Sequence, residues 1–195
     1  MSAQKKKIII VFAVVISALV ILGVLSLILE RIDLFSDPVP EYEFYIPLED
    51  EEYLTDPDYL QMDRVLRYTD TMGQQWFIYD EDSCGELGAK FFFVYFSVLE
   101  YGDAQALNEL YSDELGNFDP FTPQRTYHKE VKYRSSGEVD DKTSYITYSL
   151  DYNIMKNDGS FRRDIGSDMS RTQYVTVYYT EDDIWIESVE SEYRK

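Results

Sequence analysis

The imidazole and the thiol of this chain each occur once, as His128 and Cys84. One cysteine cannot form an intramolecular disulfide or a zinc cluster, and one histidine excludes a histidine-rich metal centre. To act as a general base, His128 would need a pocket and a carboxylate that orients it. Alternation along its predicted strand instead places it on one face with Glu130, Lys132 and Arg134, which predicts an exposed histidine.

Cys84 lies in the acidic sequence Asp-Glu-Asp-Ser-Cys-Gly of residues 80–85. Nearby carboxylates raise the pKa of a thiol and reduce its nucleophilicity, so we expect an ordinary free cysteine rather than a catalytic one. For an exported cysteine, a disulfide with another chain is the alternative.

The same segment matches part of the calcium-binding pattern of an EF-hand loop. Asp80, Asp82 and Gly85 match positions one, three and six, but Phe91 stands at position twelve, where a bidentate Glu is required. A looser surface cation site is the alternative, either here or around the carboxylates of the 164–168 segment.

Other motifs and the overall charge narrow the functional classes further. The sequence has no phosphate-binding Gly loop, no G-x-S-x-G elbow and no H-E-x-x-H pair. We therefore predict no catalytic, cofactor-binding or metal-binding residues and no cofactor. With 18 Lys+Arg against 37 Asp+Glu, the net charge of −19 argues against nucleic acid as a partner. The 45% hydrophobic content excludes a disordered acidic tail.

An uncharged segment from Ile8 to Leu29 predicts one transmembrane helix. Its 22 residues would form a helix of about 33 Å, which is enough to cross a hydrocarbon core of about 30 Å. A cleaved signal peptide is the alternative, but its apolar stretch runs over about 7–15 residues and ends at a small-x-small site. We therefore expect an uncleaved anchor.

The charges that flank this segment predict its orientation. Lys5, Lys6 and Lys7 precede the span, whereas Glu30 and Asp33 follow it. The positive-inside rule places the 1–7 tail in the cytoplasm and the C-terminal domain outside, so we expect a single-pass protein of the cell membrane. The part after the span has 15 basic and 37 acidic residues, a net charge of −22, and anionic lipid headgroups should repel it.

Residues 30–57 have the composition of an extended tether. They contain four of the six prolines and an acidic run at 49–52, and both features extend a chain. We interpret the acidic run as a solvated spacer, with a cation site or a docking strip as alternatives. Residues 58–195 then form the extracytoplasmic domain.

The first half of this domain has mainly helical patterns. Apolar spacing over 59–68 indicates a short helix, and 75–79 indicates a strand. Residues 89–101 are apolar nearly all round, which predicts a helix that is buried on most sides. Gly102 suits the left-handed residue that ends a helix, and Asp103 suits the N-cap of a second helix.

Beyond Pro123 the hydrophobic period changes to two, which predicts strands with one wet face. In the predicted strand 144–156 the apolar face comprises Ile146, Tyr148, Leu150, Tyr152 and Ile154. The other predicted strands cover 126–134, 161–165, 171–179 and 184–189. We interpret the strand tyrosines as core residues, with the lining of a ligand cavity as the alternative.

The sequence Tyr101-Gly102-Asp103-Ala104, between an aromatic helix and an amphipathic one, resembles the opening of nuclear transport factor 2-like (cystatin-like) domains. The resemblance covers about residues 86–193. It implies an α+β fold in which two helices pack on a curved antiparallel four-stranded meander, often around a cavity. The superfamily includes SnoaL-like enzymes, which use a His–Asp pair inside that cavity, and many domains without catalysis. The fold therefore does not fix a function.

Three functions remain open at this stage. The first is a non-catalytic, membrane-tethered domain that binds a partner protein or a small ligand. The second is a bitopic subunit of a secretion or conjugation machine, which the architecture resembles. The third is a SnoaL-like cavity enzyme, which a buried His–carboxylate pair would favour, whereas an exposed apolar patch would favour the second. We expect the exported domain to be monomeric, because its copies carry like charge.

Overall fold

The computed structural model of this protein describes residues 56–80, 83 and 85–193. The predicted cytoplasmic tail, the transmembrane helix and nearly all of the tether lie outside these residues. Within the described ranges, no helix is both long enough and apolar enough to cross a membrane. The helices are α1 (Pro57–Leu60), α2 (Leu87–Tyr101) and α3 (Ala104–Glu109), and the strands are β1 (Leu66–Thr69), β2 (Gln75–Ile78), β3 (Arg125–Glu138), β4 (Ser144–Met155), β5 (Gln173–Tyr179) and β6 (Ile184–Glu190).

The six strands form one mixed sheet in the order β2-β1-β3-β4-β5-β6. Strands β3 to β6 form the predicted antiparallel meander. The expected four-stranded, purely antiparallel sheet is nevertheless wrong, because β1 and β2 extend it and β1 runs parallel to β3. The chain between β1 and β3 includes β2 and both longer helices. A parallel pair needs such a long connection, and no local sequence pattern indicates it.

Two predicted elements have different structures. The predicted helix 59–68 ends at Leu60, and its last residues belong to β1, in which Leu66 and Tyr68 are buried. The predicted strand 161–165 is instead part of an irregular loop between β4 and β5. There the side chain of Arg162 is buried and its Nη1 donates to Tyr152 Oη at 3.2 Å and to Gln173 Oε1 at 2.6 Å.

Helix α2 has the extent and the ending that its sequence predicts. Gly102 adopts φ +70°, and the N–H groups of Gly102 and Asp103 donate to the carbonyls of Leu99 and Val98. This pattern closes an α-helix with a left-handed residue. A Cβ at position 102 would also lie 2.7 Å from Pro123 N. Asp103 then caps α3, since its carboxylate accepts from the N–H of Ala106.

The core lies between α2 and one face of the sheet. Four residues of the predicted apolar face of β4, Tyr148, Leu150, Tyr152 and Ile154, are buried, and Ile146 is half-buried. The opposite face is not uniformly wet as predicted, because Thr147 and Ser149 are buried as well. Rings of α2 contact this face edge to face, with centroid distances of 5.1 Å for Phe92–Tyr148 and 5.3 Å for Phe96–Tyr152. The strand tyrosines named here are therefore core residues, as predicted.

A β-bulge interrupts the alternation that was predicted for 126–134. Tyr127 pairs with Asn153 and Glu130 with Asp151, so His128 and Lys129 together stand opposite one residue of β4. His128 adopts φ +49°. The bulge changes the facing of the strand on either side of it, so Thr126, which was expected on the wet face, is buried.

Candidate functional site

The β1–β2 hairpin is held in shape by one buried carboxylate, that of Asp70. Asp70 Oδ1 accepts from the N–H groups of Met72 at 2.9 Å and Gln74 at 2.8 Å. Its Oδ2 accepts from Trp76 Nε1 at 2.9 Å. Gly73 takes φ +79° at the tip, and its N–H donates to the carbonyl of Asp70. Four groups of the turn are thus bound to one residue, which makes the turn rigid.

Hydrogen bonding also sets the charge state of this carboxylate. The bond from Trp76, with further bonds from the backbone of the turn, lowers the pKa of Asp70 below its usual value. Asp70 is therefore ionised at neutral pH, and it has no role as a proton donor there.

The same hairpin presents apolar side chains to solvent. Met72 at the tip is 89% exposed, Tyr79 just beyond β2 is 69% exposed, and Phe77 on the outer face is 50% exposed. In contrast, Ile78 and Trp76 face the core. Large apolar side chains that a rigid turn holds in water are typical of an interaction surface. We call Met72, Phe77 and Tyr79 the hairpin patch.

β2 also lies at an edge of the sheet, with its outer backbone groups facing away from β1. No described strand pairs with that side of β2. The opposite edge is partly covered, because Ser112 N donates to the carbonyl of Ile186 and Ile186 N donates to that of Leu110. Edge strands are normally protected by charge, proline or a bulge, but residues 71–79 contain no charged residue and no proline.

His128 is exposed at the surface, as its strand pattern predicts. Its side chain is 56% exposed, and Nδ1 is 3.9 Å from Asp63 Oδ2. The N–H of His128 donates to the carbonyl of Asp63 at 2.7 Å, which fixes the bulge to the chain before β1. Asp63 also forms an ion pair with Arg67. This His–Asp pair lies at the surface, so it is not the buried pair that a cavity enzyme would use.

Lys129 is buried, like Val131 two residues further along β3. Its Nζ contacts Glu100 Oε1 at 2.8 Å and lies 5.4 Å from the ring centroid of Phe96. Thr126 Oγ1 donates to the same carboxylate at 2.6 Å. The contacts join β3 to the end of α2 and satisfy a charge that is almost fully buried, so they have a structural role.

The candidate cation ligands lie only partly within the described residues. Cys84 and Asp82 are not among the described residues, and Phe91, at the place of the twelfth EF-hand ligand, is buried in α2. Asp164 forms a bidentate pair with Arg162, and Asp168 accepts from Tyr127 Oη at 2.9 Å. The described residues contain no group of three or more His, Cys, Asp or Glu side chains that could hold a metal ion.

The space between α2 and the sheet, where the resemblance placed a cavity, contains packed rings and a buried guanidinium. Tyr95 is buried beside Tyr111 and Tyr152, and burial raises the pKa of the Tyr95 hydroxyl well above its ordinary value. The guanidinium carbon of Arg162 lies 5.4 Å from the ring centroid of Tyr152. The Tyr95 hydroxyl is therefore neutral at physiological pH and a poor nucleophile.

Comparison of the chain with protein-family models, with curated proteins and with solved structures gives no match.

Proposed function

We propose that this chain is a single-pass membrane protein whose extracytoplasmic domain has no catalytic role and binds a partner protein through the β1–β2 hairpin. The single observation that carries this proposal is the rigid turn at Asp70, which holds Met72 almost fully in water beside an uncharged edge strand. The anchor and its orientation are proposed from the sequence, from the uncharged segment Ile8–Leu29 and the lysines before it.

The mode of binding that fits such a surface is addition of a strand to the sheet. An extended segment of the partner would form backbone hydrogen bonds with the outer side of β2 and place apolar side chains against the hairpin patch. Because hydrogen bonds to Asp70 already fix the turn, little conformational entropy is lost when the partner binds.

The proposal also covers the fold family. A main helix that ends at a left-handed glycine, a short helix after it and a four-stranded meander support a nuclear transport factor 2-like domain over about residues 86–193. In such a domain a function without catalysis is common, as the resemblance implies.

The other functions considered use different parts of the molecule. A secretion or conjugation machine subunit would use the same hairpin to contact its neighbours, so this alternative differs in the partner and not in the surface. A SnoaL-like enzyme would need a buried His–carboxylate pair, and no observation favours it, since the single histidine is exposed.

Photo-crosslinking at matched positions tests the proposal. A photoreactive amino acid replaces Phe77, or as a control Val139, which lies just after β3 and is 48% exposed, comparable to Phe77. In intact cells that contain the full-length chain, we expect one protein adduct of defined mass from position 77 and none from position 139.

Positive charge beside the edge strand β2 should abolish the crosslinked adduct from position 77. Met72→Lys with Tyr79→Lys adds two cations to the hairpin patch, and such charges block strand addition. Equal adducts from positions 77 and 139, no adduct from 77, or an adduct that survives the two lysines would each contradict the proposed docking surface.

A further inference from the structure

A polar cleft of about 230 Å³ opens where the segment 122–125 meets the end of β4, away from the hairpin patch. Hydrogen bonds between residues distant in the sequence join the two walls of the cleft. Thr122 Oγ1 donates to Asp158 Oδ2 at 2.7 Å, and Thr122 N donates to Ser160 Oγ at 3.2 Å. Asn157 Oδ1 accepts from Gly159 N and stabilises the turn that carries Asp158. The cleft is therefore a formed feature of the fold and is smaller than the sites that bind drug-sized molecules.

Gln124 lines this cleft and is only 2% exposed. Its Nε2 donates to the carbonyl oxygen of Thr122, and it is 3.3 Å from both Thr122 Oγ1 and Ser160 Oγ. Its Oε1 accepts a hydrogen bond from no group of the described residues. Rotating the amide would bring Oε1 against the carbonyl oxygen of Thr122, so the orientation is fixed. A buried amide oxygen without a donor is unusual in a folded protein, and a bound donor group is one way to satisfy it.

The charged groups of the cleft are of both signs. Arg125 and Lys156 line it, and both approach one carboxylate oxygen, Asp56 Oδ2, at 3.6 Å and 3.3 Å. Asp158 also lines the cleft, and hydrogen bonds from Thr122 and Ser160 lower the pKa of its carboxyl. The cations can attract a carboxylate, whereas Asp158 and the Gln124 carbonyl can accept hydrogen bonds from an ammonium group.

We propose that this cleft binds a free α-amino acid, whose carboxylate contacts Lys156 and Arg125 and whose ammonium group donates to Gln124 Oε1 and Asp158. A zwitterion matches both signs of charge, and it supplies the donor that the buried amide oxygen lacks. The bound carboxylate competes with Asp56 for the two cations. The proposal does not depend on the hairpin patch, which lies on other strands.

Two isosteric substitutions separate this site from a simple anion site. Asp158→Asn removes a negative charge from the lining of the cleft, and Asp56→Asn removes one from the carboxylate beside its two cations. Asp56→Asn removes the competitor for Lys156 and Arg125 and keeps a side-chain oxygen that caps α1, so we expect it to tighten amino-acid binding several-fold. Asp158→Asn removes the partner of the ammonium group, so we expect binding about tenfold weaker.

The experiment uses the purified full-length chain in detergent micelles, with ¹⁵N chemical shifts of the Gln124 side-chain amide and the Gly159 N–H as reporters. The probes are L-alanine, propionate, which lacks the ammonium group, and ethylamine, which lacks the carboxylate. We expect L-alanine to bind at least about tenfold more tightly than either of the other two probes. Lys156→Gln, at an exposed lysine whose loss leaves the core unchanged, should weaken L-alanine and propionate binding alike.

Three results would overturn the proposal. Propionate that binds as tightly as L-alanine would show an anion site, and shifts with none of the probes would show that the cleft binds water alone. Equal effects of Asp56→Asn and Asp158→Asn would show that only net charge matters. None of these results bears on crosslinking at Phe77, so failure here and failure of the docking proposal are distinguishable.

Discussion

Asp70 is the residue on which the shape of the hairpin patch depends most. Its carboxylate binds two backbone N–H groups and the indole of Trp76, so the fold stabilises its charged form. The folded-state pKa of Asp70 is lower than the ordinary value of about 3.9, and the unfolded chain therefore takes up a proton first as the pH falls.

This linkage predicts an acid dependence that Asp70→Asn removes. In the parent protein the contribution of Asp70 is fully present above about pH 4 and is lost as the pH falls through its lower folded-state pKa. Urea unfolding at a series of pH values from neutral to acid should show a steeper acid loss for the parent than for Asp70→Asn. The variant should also be less stable at neutral pH, since its amide donates towards the indole N–H. If the free energy of unfolding fell equally with decreasing pH in the parent and in Asp70→Asn, Asp70 would not be held in its charged form.

The residue scale also shows what a sequence can reveal about a site. Asp70-Thr71-Met72-Gly73 between two short apolar runs has the pattern of a turn, with an aspartate that binds backbone groups and a glycine with positive φ. The sequence therefore indicates the turn. It does not indicate the bond from Trp76 to Asp70, because that bond depends on the register of two strands. The positive φ of His128 and the burial of Thr126 have the same origin, since a bulge is set by strand pairing.

Gly88, in the first turn of α2, shows at the scale of elements how packing outweighs helix propensity. Alanine in a helix is more favourable than glycine by about 1 kcal/mol, so propensity alone predicts that Gly88→Ala stabilises the protein. However, a Cβ at position 88 would touch Tyr148 Oη and lie 2.6 Å from Cζ of the same ring. That ring is buried and packs against Phe92 and Tyr68, so it cannot move aside.

We therefore predict that Gly88→Ala destabilises the domain by about 1–3 kcal/mol, the range found for overpacked cores. Gly85→Ala is the matched control, since a Cβ there has no atom within 4 Å and the free energy of unfolding should change little. Chemical denaturation of both variants measures the difference. A Gly88→Ala protein as stable as the parent would mean that α2 does not approach Tyr148 this closely.

At the same scale, the elements that the sequence predicts correctly are those whose residue patterns involve only near neighbours in the chain. The aromatic run of α2, the stop at Gly102, the cap at Asp103 and the alternating face of β4 all depend on neighbours within a few residues. β1 could not be predicted in this way, because Leu66–Thr69 has only four residues and its Tyr68 pairs with Val131, 63 positions further along the chain. The strand prediction for 161–165 is wrong, because Phe161 and Ile165 are half-buried against the core from an irregular loop.

At the scale of the whole molecule, net charge should oppose self-association through the uncharged edge strand β2. The part from Asp56 to Lys195 has 14 basic and 28 acidic residues, a net charge of −14. Two copies that approach edge to edge repel each other, and salt screens this repulsion beyond about 8 Å.

We predict that the fragment 56–195 is monomeric in low-salt buffer with a chelator, and that any association increases with salt or divalent cations. Sedimentation velocity across a salt series measures this, with Phe77→Lys as the control for pairing through β2. A stable dimer that is independent of salt and lost in Phe77→Lys would identify a second copy as the occupant of the hairpin patch, contrary to the expected monomer.

The docking surface can meet an extracytoplasmic partner only if the domain lies outside the membrane, so protease access to intact cells is the most direct measurement. The cells are stripped of any outer barrier, and an epitope follows Lys195 while a second precedes the lysines at 5–7. The account predicts that protease releases or destroys the C-terminal epitope and leaves the N-terminal one protected, because Lys5, Lys6 and Lys7 keep the tail in the cytoplasm. Protection of the C-terminal epitope would contradict the orientation and, with it, the proposed function.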